Sequence, residues 1–314
     1  MTAADLIVAC VLDLAIGDPH WLPHPVRLMG KTIVWYEARI RVAACTPSAL
    51  RVAGIILAIG LPAMSYTIAW LAIELVGSVH PEAGRGVGIW LAFTTLAARD
   101  LFDHARAVAR ALQRGSLALA RQAVSRIVGR DTDRLSEPEV VRATVETIAE
   151  STSDGVIAPL VYLALGGPPL ALAYKAINTL DSMIGHRDTK YRDLGWASAR
   201  FDDVANWIPA RITGLLLVLA AGIWTRTMRQ AWRMVRRDGG KHPSPNSGRP
   251  EAAMAGALGV QLGGTNVYDG KPSDRPRLGD ALTPLRPARI TTALGLMGVA
   301  SLLAVGLAVV VLSR

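Results

Sequence analysis

Four polar segments of the chain hold the side chain types that chemistry needs. The first joins Asp18, His24 and Arg27, and prolines on both sides of His24 stiffen this loop and fix where its side chains point. A carboxylate, an imidazole and a guanidinium in one rigid loop favour a functional site. A turn that ends a membrane helix would also explain the prolines, with Arg27 as an interfacial anchor.

The second segment is a helix on which charged residues recur every four positions, so that Arg142, Glu146, Glu150 and Asp154 share one face. A solvated face with an ordinary ion pair is an adequate interpretation for Arg142 and Glu146. Glu150 and Asp154 stand at the mouth of an uncharged apolar stretch, where carboxylates are costly unless they are paired or used.

The third segment, residues 174–212, is dense in polar side chains between two apolar stretches. Its Asp and Asn side chains offer the hard oxygen ligands that Mg²⁺ prefers, and its Lys and Arg side chains suit phosphate oxygens. Arg211 lies inside an apolar stretch, so snorkelling to the membrane surface competes with pairing to Asp202 or Asp203.

The fourth segment is the loop that contains His242, Ser244 and Asn246, followed by Glu251. Its imidazole, hydroxyl, amide and backbone groups suit the recognition of anions or amides. Taken alone, an ordinary loop is the commoner explanation of this composition.

Long apolar stretches must position these segments. The chain has 314 residues, of which 51% are hydrophobic, and a membrane span needs about 20 apolar residues. Residues 52–73, 155–174, 205–224 and 290–312 are long enough, and residues 3–16 and 86–98 are weaker candidates. The sequence predicts an all-α, polytopic integral membrane protein with about four to six membrane segments. One segment is broken or re-entrant at the glycines and prolines of 166–169.

The remaining parts of the chain are predicted to form one membrane-embedded domain, residues 1–314, with two extramembrane regions. Residues 99–154 are expected to be a soluble helical insert, because apolar side chains recur there at helical spacing. Residues 225–289 are expected to be a cytoplasmic loop, because arginines follow the apolar stretch before them. No strand-like alternation is found. The net charge is +9, and the basic residues gather beside apolar stretches. No aromatic residues are interleaved with them, which argues against nucleic acid as a partner.

These four segments, in this order and with these apolar flanks, resemble the adenosylcobinamide-phosphate synthase family of cobalamin biosynthesis. The matching stretches are LDLAIGDPHWLPHPVR at 12–27, GRDTDRLSEPEVVRATVETIAESTSDGVIAPLVY at 129–162, YKAINTLDSMIGHRDTKYRDLGWASARFDDVANWIPARI at 174–212 and HPSPNSGRPEAAMAGALGVQLGG at 242–264. The resemblance implies a multi-pass protein of the inner membrane. It also implies ATP-dependent amide formation between the carboxylate of adenosylcobyric acid and (R)-1-amino-2-propanol or its O-phosphate.

The resemblance implies roles for individual residues as well. ATP and Mg²⁺ would be needed, a corrinoid and an amino alcohol would be the substrates, and membrane lipid and other cobalamin-assembly enzymes would be neighbours. No recognised ATP-binding motif is present in the sequence. The predicted metal ligands are Asp181, Asp202 and Asp203. The predicted acid–base candidates are Glu150, Asp154, His24 and His242. The predicted substrate-binding and phosphate-binding residues are Arg27, Arg130, Lys175, Asn178, Arg187, Arg211, Ser244 and Asn246.

Three other classes of protein remain open. A secondary transporter would also have a broken helix and intramembrane charges, but transporters usually carry two interrupted spans in paired halves and only one interruption is clear here. A membrane prenyl or phosphoalcohol transferase would need a second Asp cluster on a facing helix, whereas Asp131 and Asp133 lie in the soluble insert. A purely structural membrane protein would not need so many polar residues beside its spans.

Overall fold

The structure is a computed structural model that describes residues 1–18, 23–43, 46–186 and 188–314. Within these ranges the chain forms thirteen α-helices and one pair of strands. The helices are α1 Ala3–Ile16, α2 Pro25–Ala43, α3 Pro47–Val79, α4 Pro81–Phe93, α5 Ala98–Gln113, α6 Leu117–Val124, α7 Glu137–Ser151, α8 Ala158–Ile184, α9 Trp196–Ala205, α10 Trp207–Ala220, α11 Met228–Asp238, α12 Gly248–Leu258 and α13 Ala288–Leu312. Two π-helical segments, Thr152–Ile157 and Ala221–Thr225, follow α7 and α10.

Four helical stretches are long and apolar enough to cross a membrane: Pro47–Val79, Glu137–Ile184, Trp207–Thr225 and Ala288–Leu312. They overlap the four long apolar stretches of the sequence almost completely, so the predicted all-α, polytopic membrane fold is confirmed. The two weaker candidates form α1 and α4, which have 14 and 13 residues. These two helices are shorter than the roughly 20 residues that a perpendicular crossing requires.

The predicted break at residues 166–169 lies within α8. Gly166 has φ −149° and ψ 17°, and Gly167 has φ 66° and ψ −164°, so the backbone leaves the helical region at both residues. The positive φ of Gly167 favours glycine, and Pro168 and Pro169 then restart the helix. The prediction of a broken segment is confirmed, whereas a re-entrant path through the membrane stays a prediction.

The chain folds into two compact units, and the first consists of residues 1–97, 158–206 and 307–314. In this unit α3 packs on α8 and α9, and buried aliphatic side chains such as Ile33, Leu57 and Leu180 fill the contacts. Gly54 allows close approach, because a Cβ atom there would collide with the backbone carbonyl of Leu194. This packing fixes the polar ends of α8 and α9 beside each other.

The second unit consists of residues 98–157 and 207–306. Here α12 packs against both α10 and α11. The helical character predicted for residues 99–154 is confirmed by α5, α6 and α7, and the apolar side chains at helical spacing in α5 are buried. The segment predicted as the loop 225–289 contains α11, α12 and the strands. Its side of the membrane, and the solubility of the insert, stay predictions.

A β-hairpin in the second unit corrects the expectation that the chain has no strands. Strand β1, Leu262–Tyr268, pairs antiparallel with β2, Lys271–Leu278. Asp269 and Gly270 connect them with φ values of 48° and 74°, which is the positive-φ pair of a tight hairpin turn. Prolines in β2 and a bulge between Leu262 and Gly264 disturb the alternation of side chains that would have predicted the strands. The Asp-Gly dipeptide at 269–270 was the sequence feature that could have predicted a hairpin turn.

Buried charges attach this hairpin to α7. The Arg142 guanidinium donates hydrogen bonds to the backbone carbonyl of Gly263, to that of Thr265 at 3.0 Å and to Asn266 Oδ1 at 3.1 Å. Glu146 accepts a hydrogen bond from the Gly263 N–H at 2.8 Å. Arg142 and Glu146 are only 7% and 6% exposed, so the interpretation of this pair as a solvated face was wrong. Arg142 and Glu146 therefore face the hairpin and satisfy its backbone groups.

Candidate functional site

The second unit holds an acid–base group that we call the His242–Glu251 cluster, made of His242, Glu251, Arg275, Glu146 and Glu150. His242 Nε2 lies 3.8 Å from Glu251 Oε1 and 3.2 Å from Arg275 Nη1. The side chains of His242 and Glu251 are each 5% exposed. His242 Nδ1 accepts a hydrogen bond from the Ser244 N–H at 3.0 Å. His242 Nε2 faces both the Arg275 guanidinium, which can only donate, and the carboxyl group of Glu251.

Burial sets the protonation states in this cluster. Desolvation, and then the negative charges of Glu146 and Glu150, raise the pKa of the Glu251 carboxyl group well above its ordinary value. Desolvation, and then the positive charge of Arg275, lower the pKa of the His242 imidazole. Both shifts favour the uncharged forms, a protonated Glu251 carboxyl group and a neutral His242 imidazole.

Glu150 connects this cluster to the surface. It is exposed, and its Oε1 accepts a hydrogen bond from Ser247 Oγ at 3.0 Å. Ser247 Oγ is in turn 3.3 Å from Ser244 Oγ, whose residue also donates its backbone N–H to His242. From the surface inwards, the cluster therefore runs from the Glu150 carboxylate, which solvent or substrate can reach, through the hydroxyl groups of Ser247 and Ser244 to the buried imidazole of His242. Glu150 and His242, which the sequence suggested separately, lie in the same cluster.

The first unit holds a second group, the carboxylate cluster, made of Asp181, Asp202, Asp203, Asn178 and Asn206 on α8 and α9 and at the end of α9. Asp202 Oδ1 accepts hydrogen bonds from Asn206 Nδ2 at 2.9 Å and from Asn178 Nδ2 at 3.5 Å. Asp181 lies near enough for its charge to act on Asp202. The fold therefore brings together Asn178, Asp181 and Asp202, as expected for side chains with a shared role.

The negative charges of Asp181 and Asp202 repel each other in the carboxylate cluster, and this repulsion favours the binding of a cation. Burial, and then the charge of Asp181, raise the pKa of the Asp202 carboxyl group to about 7. A divalent cation between the two carboxylates would relieve this repulsion, so their chemistry fits Mg²⁺. Within the described residues, no group of three or more His, Cys, Asp or Glu side chains is arranged to hold a metal ion. Mg²⁺ is commonly held by one or two carboxylates together with substrate phosphates, which agrees with a site completed by substrate.

We expect Asp202→Asn to stabilise the metal-free protein at pH 8. Because the pKa of Asp202 is raised on folding, from 3.8 to about 7, its ionised form opposes folding, and stability is lost as the pH rises through this range. The expected gain is about 1 to 3 kcal/mol, since one pKa unit corresponds to about 1.4 kcal/mol. Denaturant titration of the two detergent-solubilised proteins, in the presence of EDTA to remove metal ions, would measure this difference in the free energy of unfolding.

Added Mg²⁺ supplies the second half of this test. It should raise the unfolding midpoint of the unsubstituted protein at pH 8 more than that of Asp202→Asn. Asp103→Asn is the matched control, because Asp103 is an exposed carboxylate on α5 that pairs with Arg99. Equal responses of all three proteins to Mg²⁺ would contradict a metal site at Asp202.

The first polar loop lies in the first unit. His24 Nε2 is 2.8 Å from Asp18 Oδ1, and the His24 side chain is 5% exposed. Arg27 is exposed, and its backbone N–H donates to the carbonyl of His24 at 3.1 Å, in the first turn of α2. The predicted association of Asp18 with His24 is therefore present in the structure, and their catalytic role stays a prediction.

The remaining predicted residues occupy varied environments. Arg130 is buried and donates to Glu146 Oε2 at 2.6 Å and to Asn266 Oδ1 at 2.8 Å, so a phosphate would have to replace internal partners. Lys175 is half-buried on α8, and Asp154 is half-buried in the first π-helical segment. Asn246 is buried just before α12. Arg187 lies outside the described residues.

Three residues of the His242–Glu251 cluster, Glu146, Glu251 and Arg275, were not among the predicted catalytic residues. Glu251 lies in the helix sequence GRPEAAMAGAL, where it is the only carboxylate and every residue from 250 to 258 is buried. An isolated carboxylate in such a helix is costly, and that cost is the signal that could have identified it. Arg275 lies in β2, and it could not be found without knowledge of the hairpin.

The fold and these clusters define a predominantly helical, polytopic membrane protein that carries buried ionisable groups in each of its two units. The sequence model of the CobD/Cbib protein family matches residues 6–297, and the chain belongs to this family. Membership gives it a role in cobalamin biosynthesis. No solved structure matches the chain.

Several curated relatives cover almost the whole chain. The cobalamin biosynthesis protein CobD of Geobacter metallireducens is 55% identical over 91% of this chain and 89% of its own length. CobD of Klebsiella pneumoniae is 47% identical, and CbiB of Salmonella typhimurium is 46% identical, each over 98% of this chain and 96% of its own length. The polar segments therefore belong to a chain that matches these relatives nearly from end to end.

Proposed function

We propose that the protein forms an amide bond between the free carboxylate of adenosylcobyric acid and (R)-1-amino-2-propanol or its O-phosphate, using ATP, at the inner membrane. The observation that carries this proposal is the His242–Glu251 cluster with Glu150 at its surface. Amide formation from a protonated amine requires a proton acceptor close to the amine. Family membership supports a corrinoid as one substrate.

The reaction has two chemical steps. A carboxylate is a poor electrophile, so its oxygen first attacks the terminal phosphorus of ATP, which gives an acyl phosphate and ADP. The neutral amine then attacks the acyl carbon, a C–N bond forms, and inorganic phosphate leaves. The amine gives up its protons before and during the second step.

We assign the proton acceptor to Glu150. It is exposed and can meet a substrate amine, whereas Glu251 is buried, and its raised pKa favours the protonated form. The hydroxyl groups of Ser247 and Ser244 and the imidazole of His242 lie behind Glu150. In this assignment Glu251 is a positioning residue, because it acts on the substrate only through His242.

Phosphoryl transfer also needs positive charge near the transferred group. Asp181 and Asp202 would hold Mg²⁺, which neutralises phosphate charge when it is bound. Asp203 and Asn178, in the same cluster, and Lys175 on α8 are the remaining candidates in the first unit for contacts with the metal or with phosphate oxygens.

A product assay tests the proposal. The purified protein in nonionic detergent would be incubated with adenosylcobyric acid, aminopropanol phosphate and Mg-ATP, and the corrinoid product followed by mass spectrometry. We expect a product with the mass of the new amide, together with equimolar ADP and inorganic phosphate. Asp181→Ala should lose it, while Asp103→Ala, which removes an exposed carboxylate, should keep it. A folded protein that releases no corrinoid amide would refute the proposal.

The break in α8 favours one alternative function, because secondary transporters bind substrates at interrupted helices. Uptake of a corrinoid into proteoliposomes that contain the protein, without any change in the corrinoid's mass, would support transport. Uptake and amide formation have separate readouts, so the two functions can be distinguished in one preparation.

A further inference from the structure

Two arginines of the second unit lie together at the contact between α10 and α12. Arg211 lies on α10, and Arg249 is the second residue of α12. Gly214 of α10 packs directly on Arg249, since a Cβ atom at position 214 would be 3.5 Å from the Arg249 Cβ. The Arg249 guanidinium lies near enough for its charge to act on that of Arg211. Two positive charges at one contact between helices need a compensating negative group.

Within the described residues no carboxylate supplies that compensation, because neither arginine forms an ion pair with Asp or Glu. Arg249 Nε is buried, and none of the residues that the structure describes supplies a hydrogen-bond acceptor for it. A buried donor without an acceptor costs about 1 to 3 kcal/mol. The arrangement is therefore suited to an anion that arrives from outside the chain.

Arg211 is held in place for such a contact. Its guanidinium carbon lies 3.8 Å from the centroid of the Trp207 ring, and its Nη1 donates to the Trp207 carbonyl at 2.6 Å. Stacking and one backbone hydrogen bond fix the plane of the group and leave further N–H donors for a ligand. The Arg249 backbone is held by the Asn246 carbonyl, to which its N–H donates at 3.2 Å.

We propose that Arg211 and Arg249 form a binding site for a terminal phosphate dianion carried by a soluble substrate. Two guanidinium groups match the charge of about −2 on a phosphate monoester and can each contact its oxygens in bidentate fashion. The same chemistry is offered by an amino alcohol O-phosphate and by the end of a nucleoside triphosphate. This inference adds Arg249 to the site and rests on the proposed function only for the identity of the phosphate.

A binding measurement without turnover tests the site itself. Inorganic phosphate would be titrated into the protein in nonionic detergent, at constant ionic strength set with chloride, and the thermal unfolding midpoint recorded. The midpoint of the unsubstituted protein should rise with phosphate concentration. Arg249→Gln should weaken binding about 10-fold to 100-fold, as should Arg211→Gln if the first variant is unstable. Arg229→Gln, which removes an exposed arginine of α11 without an ion pair in the described residues, should bind phosphate as before.

Steady-state kinetics would then identify the source of the phosphate. A KM that rises in Arg249→Gln for the phosphorylated amino alcohol, but not for the unphosphorylated one, would assign the site to the amino alcohol. A KM that rises for ATP alone would assign it to the nucleotide.

Three results would overturn the inference: no stabilisation by phosphate, equal binding by Arg249→Gln and the unsubstituted protein, or stabilisation only by micelles that contain phosphatidylglycerol. Failure of the product assay with intact phosphate binding would instead remove the proposed function and leave this site standing.

Discussion

Glu150→Gln should lower the kcat for amide formation by about 100-fold to 10,000-fold, the range typical for loss of a general base. Glutamine has nearly the same shape and still accepts the hydrogen bond from Ser247 Oγ, but it cannot take a proton from the amine. The KM for ATP should stay within about twofold, because phosphoryl transfer does not need this proton acceptor. Initial rates of product formation at saturating substrates would measure both constants.

The exposed position of Glu150 makes this variant informative. A substitution at an exposed carboxylate usually changes the free energy of unfolding by less than about 0.5 kcal/mol. A lower kcat in this variant would therefore not be caused by unfolding. Glu82→Gln is the matched control, because the Glu82 side chain is 77% exposed and lies on α4 in the first unit. If Glu150→Gln keeps its full kcat, another group must accept the proton, and His24 and Asp154 would be examined next.

Arg142→Ala should lower the free energy of unfolding by about 3 to 5 kcal/mol. The substitution leaves the carbonyl groups of Gly263 and Thr265 without their buried donor, and it removes one of the positive charges beside Glu146. β1 should detach from α7, because these contacts join the two elements. Hydrogen exchange of the residues in β1, together with denaturant titration of the solubilised protein, would detect both effects.

Arg99→Ala provides the comparison for this loss. Arg99 Nε donates to Asp103 Oδ2 at 2.6 Å on the exposed surface of α5, and such pairs contribute less than about 1 kcal/mol. Similar destabilisation by the two substitutions would mean that the burial of Arg142 does not determine its contribution.

The membrane architecture was predictable because hydrophobic length alone determines which segments can cross a bilayer. The apolar stretches at 52–73 and 290–312 lie within α3 and α13, and the glycine–proline sequence at 166–169 marked the break in α8. The capping box that Ser136 and Glu139 form at the start of α7 is a local feature of the same kind. In each of these cases the signal is contained within a few consecutive residues.

Properties that depend on distant partners were not predictable. Periodicity placed Arg142 and Glu146 on one helix face, but whether that face met water or a hairpin 120 residues away depended on the fold. Glu251 and Arg275 join His242 for the same reason, since three separate elements must meet before their charges interact. The grouping of Asp181 with Asp202 could be anticipated because only a short segment separates α8 from α9.

The interruption of α8 has an unequal balance of hydrogen-bond donors and acceptors. The first four N–H groups of a helix normally lack partners within it, but Pro168 and Pro169 have no N–H, so the second half of α8 begins with about two such donors fewer. The carbonyl groups at the end of the first half are not reduced in the same way. Since unpaired backbone groups are costly in lipid, the break presents an excess of acceptor oxygens and therefore a partial negative charge. A cation, a water molecule or a donor side chain would be accommodated there more readily than an anion.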